Sequence, residues 1–156
     1  MGVTEICDRI ARSTGTEILK NPTAERLTTF KGGGEAERVY APRSTERAAE
    51  FLSECAAMGV NDVFLLGGGS NVILADGELM RPVLLTREMR GIDFVGEDDG
   101  CVCLRAECGA GTGALIAKCA EYGCGGAEFL AGVPATVGGA AHMNAGAFGY
   151  EIKDYI

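Results

Sequence analysis

At 156 residues the chain has room for about one ordinary domain, which excludes two full-sized catalytic domains within it. Apolar residues make up 47% and charged residues 23%, the composition of a chain that buries a core rather than one that stays disordered. Lys and Arg number 14 against 22 Asp and Glu, so the net charge of −8 repels a nucleic-acid backbone or an anionic membrane surface, while small anions held by backbone N–H groups remain allowed.

No stretch approaches the ~20 apolar residues of a membrane span. Met1-Gly2-Val3-Thr4-Glu5 has neither the basic nor the apolar part of a secretory leader, so the expected address is the cytoplasm. The seven cysteines are then expected to be reduced. Glycine is the outlier: 24 residues, with 4 prolines and no Gly-X-Y period, so each glycine has to be read where it falls.

In chain order, Ile6, Ile10 and Ile18 with intervening Arg9 and Arg12 predict an N-terminal amphipathic helix broken near Ser13-Thr14-Gly15. Thr28 to Gly34 reads as a glycine turn leading into a short strand, Ala36 to Tyr40, which Pro42 stops. Ser44 opens a helix to Met58, with Ala48, Phe51, Leu52 and Cys55 on one face and Gly59 as its stop. Val63-Phe64-Leu65-Leu66 then reads as a buried parallel strand, completing a β-α-β unit.

That strand runs into Gly67-Gly68-Gly69-Ser70-Asn71. Ile92–Val95 and Cys101–Arg105 flank Glu97-Asp98-Asp99-Gly100, a hairpin with a solvated acidic tip. Gly109 to Gly113 precedes a helix from Ala114 to Tyr122, and from Gly125 to Gly149 small residues dominate, which places the backbone close to something.

Three glycine loops could meet a phosphate. Gly109-Ala110-Gly111-Thr112-Gly113-Ala114 fits the dinucleotide pattern with Glu128 about 20 residues on, but nothing before Glu128 reads as the second strand that pattern requires. A tight turn for close helix packing is the alternative. Gly67 to Asn71 leaves a strand end with consecutive N–H groups unobstructed, and lacks the Lys of a P-loop; it is either a diphosphate cradle or a plain turn. Gly132 to Gly139, with Asn144-Ala145-Gly146-Ala147, suits a planar ring or the other half of a diphosphate, or close packing of the chain on itself.

Cys101, Cys103, Cys108, Cys119 and Cys124 lack the spacing of paired zinc ligands and are expected to be buried thiols. His142, the single histidine, is expected to be exposed or to face the backbone rather than act as a base.

Thr28-Thr29-Phe30-Lys31-x-Gly33-Gly34, Leu66-Gly67-Gly68-Gly69-Ser70-Asn71, Gly109-Ala110-Gly111, Glu128 to Gly139 and Asn144 to Gly149 stand together in an order and spacing that resembles the bacterial UDP-N-acetylenolpyruvoylglucosamine reductases, also called UDP-N-acetylmuramate dehydrogenases. The likeness runs from about Thr28 to Ile156. It implies an α+β fold, the two-lobed FAD-binding domain of the vanillyl-alcohol-oxidase type. Residues 1–27 would be an N-terminal helical segment, 28–86 a first lobe with a small parallel sheet, and 87–156 a second lobe left incomplete.

The resemblance implies FAD as cofactor, NADPH as hydride donor and reduction of an enolpyruvyl UDP-sugar in peptidoglycan precursor synthesis. Gly67, Gly68, Gly69, Ser70 and Asn71 would hold the FAD diphosphate. Gly132, Val133, Ala135, Thr136, Gly138, Gly139, Asn144, Ala145 and Gly146 would lie along diphosphate and flavin, with Thr29, Phe30 and Gly33 nearby. Ala135 stands where the family usually has glycine, and Gly32 where it has a larger residue. The family's Tyr-Arg-x-Ser stretch, proton-donating serine and later glutamate have no counterpart here. The chain is therefore expected to carry no catalytic residue, to lack the substrate domain, and to meet the UDP-sugar only if that domain is supplied. A non-catalytic FAD-binding module or an inactive remnant is the alternative, and the incomplete lobe is expected to make the chain self-associate.

Overall fold

A computed structural model describes residues 2–156. The chain divides into two compact units, Met1–Met89 and Arg90–Ile156.

In the first unit, helix α1 (Val3–Thr14) buries Cys7, Ile10, Ala11 and Thr14, a stripe at three- and four-residue steps. Gly15 ends it in the left-handed region at φ +67°. Ile18 is not part of that helix. It lies on strand β1 (Glu17–Lys20), beyond the break at Gly15.

A single helical turn, α2 (Ala24–Leu27), precedes the Thr28–Gly34 turn. The expected strand from Ala36 to Tyr40 forms as two pieces, β2 (Glu35–Ala36) and β3 (Arg38–Ala41). Helix α3 (Thr45–Ala57) follows, its first turn capped by the Ser44 hydroxyl, which accepts the Arg47 N–H at 3.4 Å. Strand β4 (Phe64–Leu66), the short β5 (Glu78–Leu79) and β6 (Val83–Leu85) complete the unit.

The main sheet has the order β1-β3-β6-β4, with β6 parallel to both β3 and β4 and β1 antiparallel at one edge. The β3-α3-β4 crossover is therefore present, but its two strands are separated by β6. This corrects the expected fully buried strand at Val63–Leu66: β4 is an edge strand, and Leu65 is 57% exposed. The fully buried strand is β6, flanked on both sides. Val39, Leu66, Val83 and Leu85 form the core with Ala24, Leu27, Ala36 and Leu74.

Helix α1 is fixed to the sheet by a polar link. The Asp8 carboxylate, nearly buried, accepts the Tyr40 hydroxyl at 2.9 Å and the Arg38 Nε at 3.3 Å. The Tyr40 ring lies 4.9 Å from that of Phe51 on α3, so one side chain joins both helices to β3.

The second unit opens with the predicted hairpin, β7 (Ile92–Asp98) against β8 (Cys101–Ala106). Asp99 and Gly100 at its tip both have positive φ, the two-residue turn that matches strand twist. Helix α4 (Thr112–Glu121) begins two residues earlier than the composition predicts. A 3-10 turn at Glu128–Leu130, helix α5 (Val137–His142) and the strand pair β9 (Gly146–Ala147) and β10 (Tyr150–Glu151) follow. Their core is Phe129, Leu130, Ala140 and Ile152. Among the described residues no helix is long and apolar enough to cross a membrane.

The cysteine expectation needs correction. Cys7 and Cys55 are buried, but Cys101 is exposed and Cys103, Cys108, Cys119 and Cys124 are half-buried, because the hairpin and α4 present open faces. His142 is exposed at the end of α5.

Candidate functional site

In the first unit two of the sequence segments meet. Gly67 to Asn71 leaves the C-terminal end of parallel strand β4, the end at which open α/β sheets bind ligands. The Thr29 N–H donates to Gly69 O at 3.0 Å, tying the Thr28–Gly34 turn to the glycine loop. Gly69 has φ +71°, and a β-carbon there would strike the carbonyl oxygen of Leu27. Gly33, at φ +113°, is held as closely against Leu74 O, and Gly34 donates its N–H to Ala75 O at 2.9 Å. These glycines serve the approach of one turn to the other.

The carbonyls bracketing the loop are satisfied: Leu66 O accepts the Thr86 N–H at 2.9 Å, and Gly69 O accepts that of Thr29. Among the described residues, the N–H groups of Gly67, Gly68, Gly69, Ser70 and Asn71 donate to no backbone carbonyl. Ser70 and Asn71 are exposed, as are Thr29 and Phe30, the latter at 65%. The loop therefore offers consecutive backbone donors, a hydroxyl and an amide on one turn. Those donors suit an oxyanion group such as a diphosphate, which needs N–H groups more than it needs cationic side chains.

In the second unit the other two segments form one assembly of a different character. Thr112 N–H donates to Ala135 O at 3.0 Å, Val137 N–H to Ala110 O at 2.7 Å and Gly138 N–H to Cys108 O at 2.9 Å. The Gly109–Gly113 turn is thus a brace for Ala135–Gly138, with Gly138 so close that a β-carbon would stand 2.5 Å from that of Cys108. Glu128 lies in the 3-10 turn, where its carboxylate accepts the Gly126 N–H at 2.6 Å, so it does not end a strand as the dinucleotide pattern requires.

Thr136 caps α5, its hydroxyl accepting the Gly139 N–H at 3.3 Å, and Val133 and Ala135 donate to nearby carbonyls. Asn144, at φ +46°, accepts the Lys153 N–H, and Ala145 donates to Ala140 O. Gly146 pairs with Glu151 across β9 and β10. Most N–H groups of this assembly are committed to the fold. It can offer a ligand surface and close approach, at Gly132, Val133 and Pro134 above all, rather than a row of free donors.

Two supports were not visible as motifs. The Thr112 hydroxyl, buried, donates to Val133 O at 2.7 Å and reaches Ala135 O at 3.3 Å. Leu74 to Gly77 backs Gly33 and Gly34 with main-chain atoms, to which no side-chain pattern points.

A family model described as FAD binding domain matches residues 36–156. The UDP-N-acetylenolpyruvoylglucosamine reductase of Caldicellulosiruptor bescii is 36% identical over 143 residues, covering 92% of this chain and 44% of the relative. That of Methylococcus capsulatus is 39% identical over 141 residues, covering 90% of this chain and again 44% of the relative. The chain thus spans a little under half the length of these relatives.

Among solved structures, a UDP-N-acetylenolpyruvylglucosamine reductase from Thermus caldophilus superposes with a TM-score of 0.60 at 25% identity, over 89% of this chain and 46% of that one. A cholesterol oxidase from B. sterolicum, at 12% identity, superposes with a TM-score of 0.64 over 85% of this chain and 25% of that one, a likeness of fold alone. The resemblance carried by the glycine motifs is borne out, and so is the α+β fold of the vanillyl-alcohol-oxidase type. The chain belongs to the FAD-binding domain family.

Proposed function

We propose that this chain is the FAD-binding part of an NADPH-dependent, cytoplasmic flavoprotein that reduces UDP-N-acetylglucosamine enolpyruvate to UDP-N-acetylmuramate in peptidoglycan precursor synthesis. The relatives' names support the substrate, and the observation that carries the cofactor is the Gly67–Asn71 loop, with its row of N–H donors at the end of β4.

In this reading Gly67, Gly68, Gly69, Ser70 and Asn71 hold the diphosphate, and Thr29, Phe30 and Gly33 line the same turn. Gly132, Val133, Ala135, Thr136, Gly138, Gly139, Asn144, Ala145 and Gly146 give the cofactor a close-fitting backbone surface. A bound flavin supplies two-electron hydride chemistry, and the residues of this chain bind it, orient it and limit water around it. The resemblance assigns none of the proton-handling residues to these 156 positions.

The test is to add FAD to the purified chain, remove the excess by gel filtration and record the absorbance spectrum. A retained flavin band is expected, and its absence from a well-folded sample would sink the reading. Substrate-dependent NADPH oxidation is expected only when a polypeptide supplying the other half of the relatives' length is present. Flavin retention with no turnover under that condition would leave a non-catalytic FAD-binding module.

A further inference from the structure

Cys7 on α1 and Cys55 on α3 have no exposed surface, and their Sγ atoms stand 3.9 Å apart. They are the two cysteines of the first unit; the other five lie between Cys101 and Cys124, in the second. Each buried sulfur therefore has one thiol neighbour within its own unit. A disulfide needs its sulfurs at about 2.05 Å, so the contact has to close by roughly 2 Å, the scale of a side-chain rotation with a small shift of α1.

We propose that Cys7 and Cys55 form a redox pair that a peroxide converts to a disulfide, stapling the N-terminal helix onto the helix that leads into β4. The step balances with the peroxide as oxidant. One sulfur attacks a peroxide oxygen: an S–O bond forms, the O–O bond breaks, and the leaving hydroxide takes a proton to become water. The second sulfur then attacks the resulting sulfenic acid, forming S–S and expelling the hydroxyl as a second water. Two thiols lose two electrons and two protons, and one peroxide becomes two waters.

Either sulfur can make the first attack, since either can donate in their contact. Burial raises both thiols, so the reaction proceeds through openings of α1 and is slower than oxidation of exposed Cys101. Once formed, the bond closes a long loop between residues 7 and 55, and it constrains the unfolded chain accordingly. None of this depends on the flavin reading.

The test uses the full chain, reduced, desalted and treated with hydrogen peroxide until Cys101 has lost its thiol. Free thiols are then alkylated under denaturing conditions, and the chain is digested without reductant. The expected result is one peptide pair joining Cys7 to Cys55, together with a rise in thermal midpoint of roughly 5 °C or more that dithiothreitol reverses. Cys7→Ala and Cys55→Ala should each abolish both effects. Recovery of Cys7 and Cys55 as separate alkylated peptides would overturn the proposal, as would bridging of either to the second-unit cysteines or a linked pair with an unchanged midpoint. If an alanine variant does not fold, the wild-type peptide map decides alone.

Discussion

Gly69 and Leu27 meet backbone to backbone: a β-carbon on the glycine would strike the leucine carbonyl oxygen and stand 2.9 Å from Thr28 Cα. Gly69→Ala carries both this collision and a left-handed φ of +71°. The expected cost is about 2 kcal/mol or more in urea unfolding, with FAD affinity falling alongside. Gly59→Ala is the control. Its φ is +78° but nothing lies within 4 Å, so the cost should be about 1 kcal/mol with FAD binding unchanged. Equal costs at the two positions would contradict the close approach.

Ser70 and Asn71 are exposed and carry no packing, so Ser70→Ala and Asn71→Ala should leave stability within about 0.5 kcal/mol. If they hold a diphosphate, each should weaken FAD binding by roughly 5- to 10-fold, one hydrogen bond's worth. Fluorescence titration of FAD against the variants checks this. Unchanged affinity in both would remove these two side chains from the site and leave the diphosphate to the backbone N–H groups.

Thr112 braces the second unit through a buried hydroxyl. Thr112→Val keeps the shape and removes the hydroxyl's bond to Val133 O, which retains the Ala135 N–H at 3.0 Å, at a cost of about 1 kcal/mol. Amide hydrogen exchange should show protection lost around Val133–Val137 before it is lost elsewhere in that unit. Loss spread evenly over the whole chain would contradict a local brace.

Burial, reinforced by the Cys55 sulfur, pushes the Cys7 thiol up from 9.0 to about 12. The folded state thus favours the neutral thiol, and its contribution is complete below pH 9 and lost as pH rises towards about 12. Burial and the hydrogen bond to Asp8 raise the Tyr40 phenol as well, with the same sign. Urea unfolding of the reduced chain should therefore weaken from pH 9 upward, and the decline should be shallower in Cys7→Ala. Parallel declines in the two proteins would argue against the Cys7 contribution.

Several elements were legible in the residues because local chemistry dictates them. Asp99-Gly100 specifies its turn, Ser44 starts α3, and Gly15 stops α1. The glycine motifs were legible as an ordered set, although single loops remained ambiguous between ligand cradle and turn. The central place of β6 was not legible, because Val83–Leu85 and Val63–Leu66 are both short apolar runs, and which of them lies inside the sheet depends on pairing across tens of residues. Nor was the difference between the two glycine assemblies. Whether an N–H is free or committed depends on carbonyls such as Ala110 O and Cys108 O, which no side-chain pattern marks.

The strand order β1-β3-β6-β4 also constrains how the first unit comes into being on the ribosome. β3 and β4 make no ladder with each other; each pairs with β6, so Val39 and Phe64 both wait for Val83. A nascent chain that has emerged only as far as Leu66 can form the antiparallel β1–β3 pair and its helices but cannot close the sheet. Through that interval it exposes Val39 and Leu66, which end fully covered. Pausing of synthesis before Leu85 should therefore lengthen chaperone engagement, whereas pausing after it should not.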